Sequence, residues 1–206
     1  MDLTDGQRDA LTELINIGYA RAAGALSQLT GYRITLEVPK VAIHRIDEMT
    51  GLLATVVQGE VASVNQIFSG PVSGNALLLL DDDAALLLTQ LLTGETRTSK
   101  GMDSAAREVI TEVGNIVLNA CLGVFGNLLQ VQVSFSVPRL HVESIGQVFN
   151  SITVADRELE YALMIHTRFY VQAGNVSGYL VIVLGVTSLD RLLFEVKQWE
   201  ERQLIS

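Results

Sequence analysis

The stretch ELIN at residues 13–16, with a proline at 39, returns 99 positions later as EVGN at residues 112–115, with a proline at 138. A chain that repeats Glu-x-x-Asn-x22-Pro inside two similar apolar patterns must build one folding unit twice. In the first copy Thr4 can cap a helix, and Gln7 completes a capping box. Leu11, Leu14, Ile15, Gly18, Ala22, Ala25, Leu26 and Leu29 then fall within one stripe at about 100° per residue, which predicts a helix packed on a core and ended by Gly31. YRITLEVP follows, with Ile34, Leu36 and Val38 alternating against polar residues, as in a half-buried strand stopped by Pro39. In the second copy Asp103 or Ser104 can cap a helix. Its stripe is Ala106, Val109, Ile110, Val113, Val117, Ala120, Cys121 and Val124, and Gly126 and Asn127 mark its end. VQVSFSVP repeats the alternation with Val131, Val133, Phe135 and Val137 on one face.

The sequels also correspond. GLLATVVQGEV and SGNALLLL read as strands and DDDAALLLTQLLTG as a helix, with Asp81–Asp83 at its N-terminus. Further on, ELEYALMIHTRFYV and SGYLVIVL read as strands and TSLDRLLFEVKQWEE as a helix. Residues 40–52 and 139–158 show no decisive period. Short turns between the β runs favour antiparallel pairing, so the fold class is α+β. Two pseudo-two-fold-related helix–strands–helix halves, about 1–98 and 99–206, would share an antiparallel sheet with long helices packed on it. The polar segment 94–104 would join them.

Of the 206 residues 49% are hydrophobic and 18% charged, enough apolar material for a real core. The formal charge of −9 argues against nucleic acid as a partner. The apolar runs are too short to suggest membrane insertion, and the polar, acidic N-terminal stretch lacks the features of a secretion signal. The single cysteine, Cys121, reads as a small buried hydrophobe in a reducing, cytoplasmic setting. His44, His141 and His166 have no ligand spacing, so no metal site is expected.

The face opposite each stripe carries the chemistry. On the first helix it holds Asp9, Glu13, Asn16, Ala20, Ala23 and Ser27. On the second it holds Glu108, Glu112, Asn115, Asn119 and Gly126, with Leu122 nearby. Glu and Asn three apart lie next to each other, one turn apart. Asn is a mediocre helix former, because its amide competes with the backbone. Ala20 and Ala23 would let another molecule approach closely. An amide offers one acceptor and two donors in a plane, which suits orienting water, and a carboxylate suits a cation. Neither can run a hydrolysis alone. Together they could complete a partner's site that already holds a metal and an activated phosphoryl group, since phosphoryl transfer needs mainly positioning and charge stabilisation.

These residues resemble the motif of the CheC-type phosphatases of bacterial and archaeal chemotaxis: Asp or Ser, three residues, Glu, two residues, Asn, twenty-two residues, Pro. Asp9, Glu13, Asn16 and Pro39 fit it fully. Glu112, Asn115 and Pro138 fit it, with Glu108 at the first position. The resemblance implies that the substrate is the aspartyl phosphate of the phosphorylated response regulator CheY. Asn16 and Asn115 would position the attacking water. Glu13 and Glu112 would pair with the regulator's lysine. Asp9, Ala20, Ala23, Glu108 and Asn119 would meet the partner, and the two prolines would be structural. The chain would need no cofactor of its own, with Mg2+ supplied by the regulator. Some members of the family bind CheD, a deamidase. Two centres in one chain match CheC rather than the one-centre CheX type. With its end at Ser206, just after a helix-like segment, the chain is expected to lack the extra C-terminal module of FliY. The rival reading is a non-catalytic adaptor that docks a response regulator or a CheD-like deamidase.

Overall fold

Thr4 and Gln7 form the expected capping box. The Thr4 hydroxyl accepts from the Gln7 amide at 3.2 Å, and Gln7 Oε1 accepts from the Thr4 amide at 3.0 Å. The helix they open, α1 (Asp5–Thr30), stops at Gly31, whose φ of 72° suits a residue without a Cβ. These features come from a computed structural model that describes residues 3–37, 39–57, 59–94, 102–171 and 174–205. The elements after α1 are β1 (Ile34–Leu36), β2 (Lys40–Arg45), α2 (Ile46–Ala54), β3 (Glu60–Ser69), β4 (Gly74–Asp81) and α3 (Asp82–Thr93). The same order then recurs as α4 (Ser104–Leu129), β5 (Ser134–Phe135), β6 (Arg139–Ser144), α5 (Ile145–Ala155), β7 (Leu159–Val171), β8 (Gly174–Gly185) and α6 (Val186–Ile205). The expected junction between halves, at residues 98 and 99, lies outside the described residues.

The strands form one antiparallel sheet. Its long members run β7-β8-β4-β3. The outer edge of β7 is taken by β1 and β2, and the outer edge of β3 by β5 and β6. Each sequence repeat therefore gives two short strands to the long strand of the other. In the register of these edge pairings Lys40 lies opposite His166, and Arg139 opposite Asn65. A repeat cut at its junction would leave both long edge strands half-paired. One face of the sheet carries α1, α3, α4 and α6 over the main core, which includes Leu11, Leu14, Val64, Leu78, Val117 and Val196. The other face carries α2 and α5, with Met49, Leu53, Val148, Phe149 and Ile152 against Leu77, Leu79, Val181 and Val183.

Several local expectations need correction. GLLATVVQGEV is not one strand: Gly51–Ala54 end α2, and the strand starts only at Glu60. β3 was hidden because most of its residues are buried whichever way they point, with Ser63 and Gln66 among them, so the chain shows no clean alternation. The strand after α4 shrinks to Ser134–Phe135, and Val137 is 82% exposed rather than buried. α4 itself passes Gly126 and Asn127 and stops at Gln130, which takes a left-handed φ of 58°. Its Ser104–Asn127 portion is long and apolar enough to cross a bilayer by length and composition, yet half of it is buried within the protein. Other readings hold. Asp81 caps α3, accepting from the Ala84 amide at 2.7 Å. Trp199 packs in the core. Cys121 is buried, and loss of solvent pushes its thiol pKa far up.

α1 and α4 touch where Gly18 meets Cys121. A Cβ built at Gly18 would lie 2.9 Å from the Cys121 Cα, a backbone atom that cannot step aside. Overpacking at Gly18→Ala should cost about 1–3 kcal/mol against about 1 kcal/mol gained in helix propensity, a net loss of up to about 2 kcal/mol. Chemical denaturation with an unchanged m-value would register the loss.

Candidate functional site

α1 and α4 bury one side each and leave the other to solvent. Asp9, Glu13, Asn16 and Ala20 are exposed along α1, and Glu108 and Glu112 along α4. Asn115 and Asn119 are half-buried. The expected site residues thus lie on the open faces, with one exception. Ala23 is 8% exposed and belongs to the main core, not to the open face on which it was expected. The arc that α1 buries is turned from the expected stripe: Tyr19 and Ala23 are in it, while Ala25 is exposed and Leu29 is 52% exposed. Alanine burial is hard to read from sequence, because alanine is small enough for either side. Of the motif prolines, Pro39 is buried and Pro138 half-buried.

The two copies are not built alike. In the second, Asn119 Nδ2 donates to Asn115 Oδ1 at 2.5 Å. Asn119 Oδ1 in turn accepts from Gln66 Nε2 at 3.0 Å, and the same Gln66 nitrogen donates to the Ser136 carbonyl at 2.9 Å. Ala20 stands in the first copy where Asn119 stands in the second, so Asn16 has no such neighbour. The cause is a glycine. Gly114 precedes Asn115, and a Cβ there would lie 2.5 Å from Val64 Cγ1 of β3. With no side chain at that point α4 settles onto the sheet. The corresponding residue of α1 is Ile15, fully buried, and besides α4 and α6 α1 meets the short strands β1 and β2.

The sequence reading missed Gln66, which is 1% exposed and lies 53 positions from Asn119. No local pattern announces such a contact. It also passed over a longer repeat: RDALTELIN at 8–16 answers REVITEVGN at 107–115. That signal proves structural in part. The hydroxyls of Thr12 and Thr111 donate to the carbonyls of Arg8 and Arg107, each at 2.7 Å, inside their own helices. Among the described residues no group of three or more His, Cys, Asp or Glu could hold a metal ion.

No family model matches the chain. It is 25% identical over 196 residues to the CheY-P phosphatase CheC of Bacillus subtilis, spanning 92% of this chain and 93% of that one. It is also 25% identical over 169 residues to the putative CheY-P phosphatase CheC1 of Halobacterium salinarum, spanning 82% and 85%. The crystal structure of Thermotoga maritima FliY superimposes with a TM-score of 0.76 at 18% identity, over 98% of this chain and 99% of that one. Sequence and fold together make the chain CheC-like.

Further solved structures share the fold of this CheC-like chain. The FliM middle domain from H. pylori matches at a TM-score of 0.64 and 12% identity, over 94% and 99%. A CheX–CheY–BeF3–Mg2+ complex from Borrelia burgdorferi matches at 0.52 and 15%, over 81% and 96%.

Proposed function

We propose that this chain is a phosphatase that hydrolyses the aspartyl phosphate of a phosphorylated CheY-type response regulator, with one centre on α1 and one on α4. The carrying observation is the Glu and Asn pair, repeated at one spacing and open to an incoming partner on both helices. The kinship with proteins named as CheY-P phosphatases supports the reading. Asn16 or Asn115 enters the regulator's site and positions the attacking water. Glu13 or Glu112 accepts a charged hydrogen bond from the regulator's lysine. The regulator supplies the Mg2+, in keeping with the CheX–CheY complex that carries BeF3 and Mg2+. The setting is the cytoplasm, where such a regulator works.

The test is phosphate release from a phosphorylated CheY-type regulator with and without the chain. Acceleration supports the reading, and release at the regulator's own rate rejects it. The carboxylates should act mainly on binding. Replacing both, Glu13→Gln with Glu112→Gln, removes a charge-assisted hydrogen bond of about 1.5–3 kcal/mol at each centre. The regulator concentration giving half the maximal rate should rise by about tenfold or more, and an unchanged concentration would refute the lysine contact.

The second reading is an adaptor that holds a response regulator, or a CheD-like deamidase, without speeding hydrolysis. It is favoured by the sharing of the fold with FliM, for which a FliG–FliM complex from H. pylori is known. Binding of the regulator without faster phosphate release would select it.

A further inference from the structure

We infer that Gln66 and Asn119 are positioning residues that fix which end of the Asn115 amide faces the partner. The inference rests on the phosphatase reading and adds a device to its second centre. An amide can be turned over at almost no cost unless its neighbours forbid it, and here they form a chain with one direction. The Ser136 carbonyl can only accept, so the end of Gln66 against it is the NH2 group. That NH2 spends its other hydrogen on Asn119, whose facing atom must be the oxygen Oδ1. The Asn119 nitrogen then points to Asn115 and requires Oδ1 there. Asn115 is left with both Nδ2 hydrogens free to face outward. The polarity of the Ser136 backbone carbonyl is thus passed through three side chains to the exposed turn.

The position of Gln66 argues that the relay is more than packing. Its neighbours on the same face of β3, Val64 and Phe68, are apolar and buried. Gln66 is just as buried, and its Oε1 has no hydrogen-bond partner. An unsatisfied buried acceptor weakens the fold, so an aliphatic residue would serve stability better there. In the first copy Ala20 has no donor to offer, and Asn16 is exposed and free to turn over.

The test isolates the second centre in an Asn16→Ala background and measures phosphate release from a CheY-type regulator charged by a small-molecule phosphodonor. To this background Asn119→Ala, Asn119→Asp, Gln66→Leu or Asn115→Ala is added. Asn119→Asp keeps shape and the Gln66 bond but replaces the donor by an acceptor, which turns the Asn115 amide over. Gln66→Leu removes the unsatisfied acceptor and cuts the relay. Each of the three relay variants should lower kcat by about tenfold, the scale of a modestly misplaced reacting group, with KM within about twofold. Melting temperatures should fall by no more than a few degrees for the Asn119 variants, about 2–4 °C for each bond of about 1 kcal/mol lost, and for Gln66→Leu stay level or rise. Unchanged kcat in the relay variants, while Asn115→Ala abolishes acceleration, would overturn the relay and leave the phosphatase reading standing. A rise in KM alone would overturn it too, by making Asn119 a partner contact. Full acceleration persisting in Asn115→Ala would reject the amide chemistry itself, and the relay with it.

Discussion

The double variant Asn16→Ala, Asn115→Ala should release phosphate from the regulator at least about a hundredfold more slowly than the parent, the scale seen when a positioned amide is removed from a reacting centre. It should do so while still folded. Asn16 is exposed on α1, and Ala is the better helix former there by about half a kcal/mol. Asn115 is half-buried, and its loss leaves Asn119 Nδ2 without its acceptor, at about 1 kcal/mol. The two changes nearly cancel, so circular dichroism and the melting temperature should barely move. Asn16→Ala alone and Asn115→Ala alone should each leave one centre working, so neither should reach the loss of the double. A double variant with parental activity and parental stability would remove both amides from the reaction. Because both carboxylates are intact in it, regulator binding should persist.

The resemblance between the two repeats was legible because it sits on helices. A helix shows its buried side as a long periodic stripe, and the stripes around Leu11–Leu26 and Ile110–Val124 point to α1 with both its caps and to α4 with its N-terminal cap, though not to its end at Gln130. What stayed hidden was the exchange of short strands. β1 and β5 are only a few residues long, and pairing between Leu36 and Phe169, or between Phe68 and Phe135, joins positions far apart in the chain. The second layer was hidden too. α2 carries Gly51 near its end, and α5 is rich in β-branched residues, so both compete locally with strand. The outward Glu-x-x-Asn turns needed no tertiary information, since opposite sides of one helix are fixed by its own period. Asn119 did need it. On the helix it looks like one more polar residue for a partner, and only the approach of β3 reveals its bond to Gln66.

That approach is itself testable at Gly114. A Cβ there would fall 2.5, 2.6 and 2.7 Å from three carbons of the Val64 side chain. Val64 is buried in the main core, and a β-branched side chain in a close-packed interior is stiff about χ1. Either α4 lifts from β3 or the strand shifts. Overpacking of this kind costs about 1–3 kcal/mol, against a gain of about 1 kcal/mol from replacing a helical glycine. Gly114→Ala should therefore come out less stable than the parent by up to about 2 kcal/mol. The lift would also lengthen the Gln66 to Asn119 bond, so second-centre kcat should fall together with stability. Adding Val64→Ala should reverse the sign of the local contact. Val64→Ala alone opens a cavity, but in the double variant the new methyl at 114 fills part of it. The double should then be more stable than the sum of the single effects by about 1–2 kcal/mol, a coupling typical of residues in direct contact. Strict additivity would mean that α4 does not owe its seat on β3 to the missing side chain. In that case the different burial of Asn16 and Asn115 would need another cause. Recovery of kcat alongside stability in the double variant would tie the packing at Gly114 directly to the presentation of the Asn115 amide.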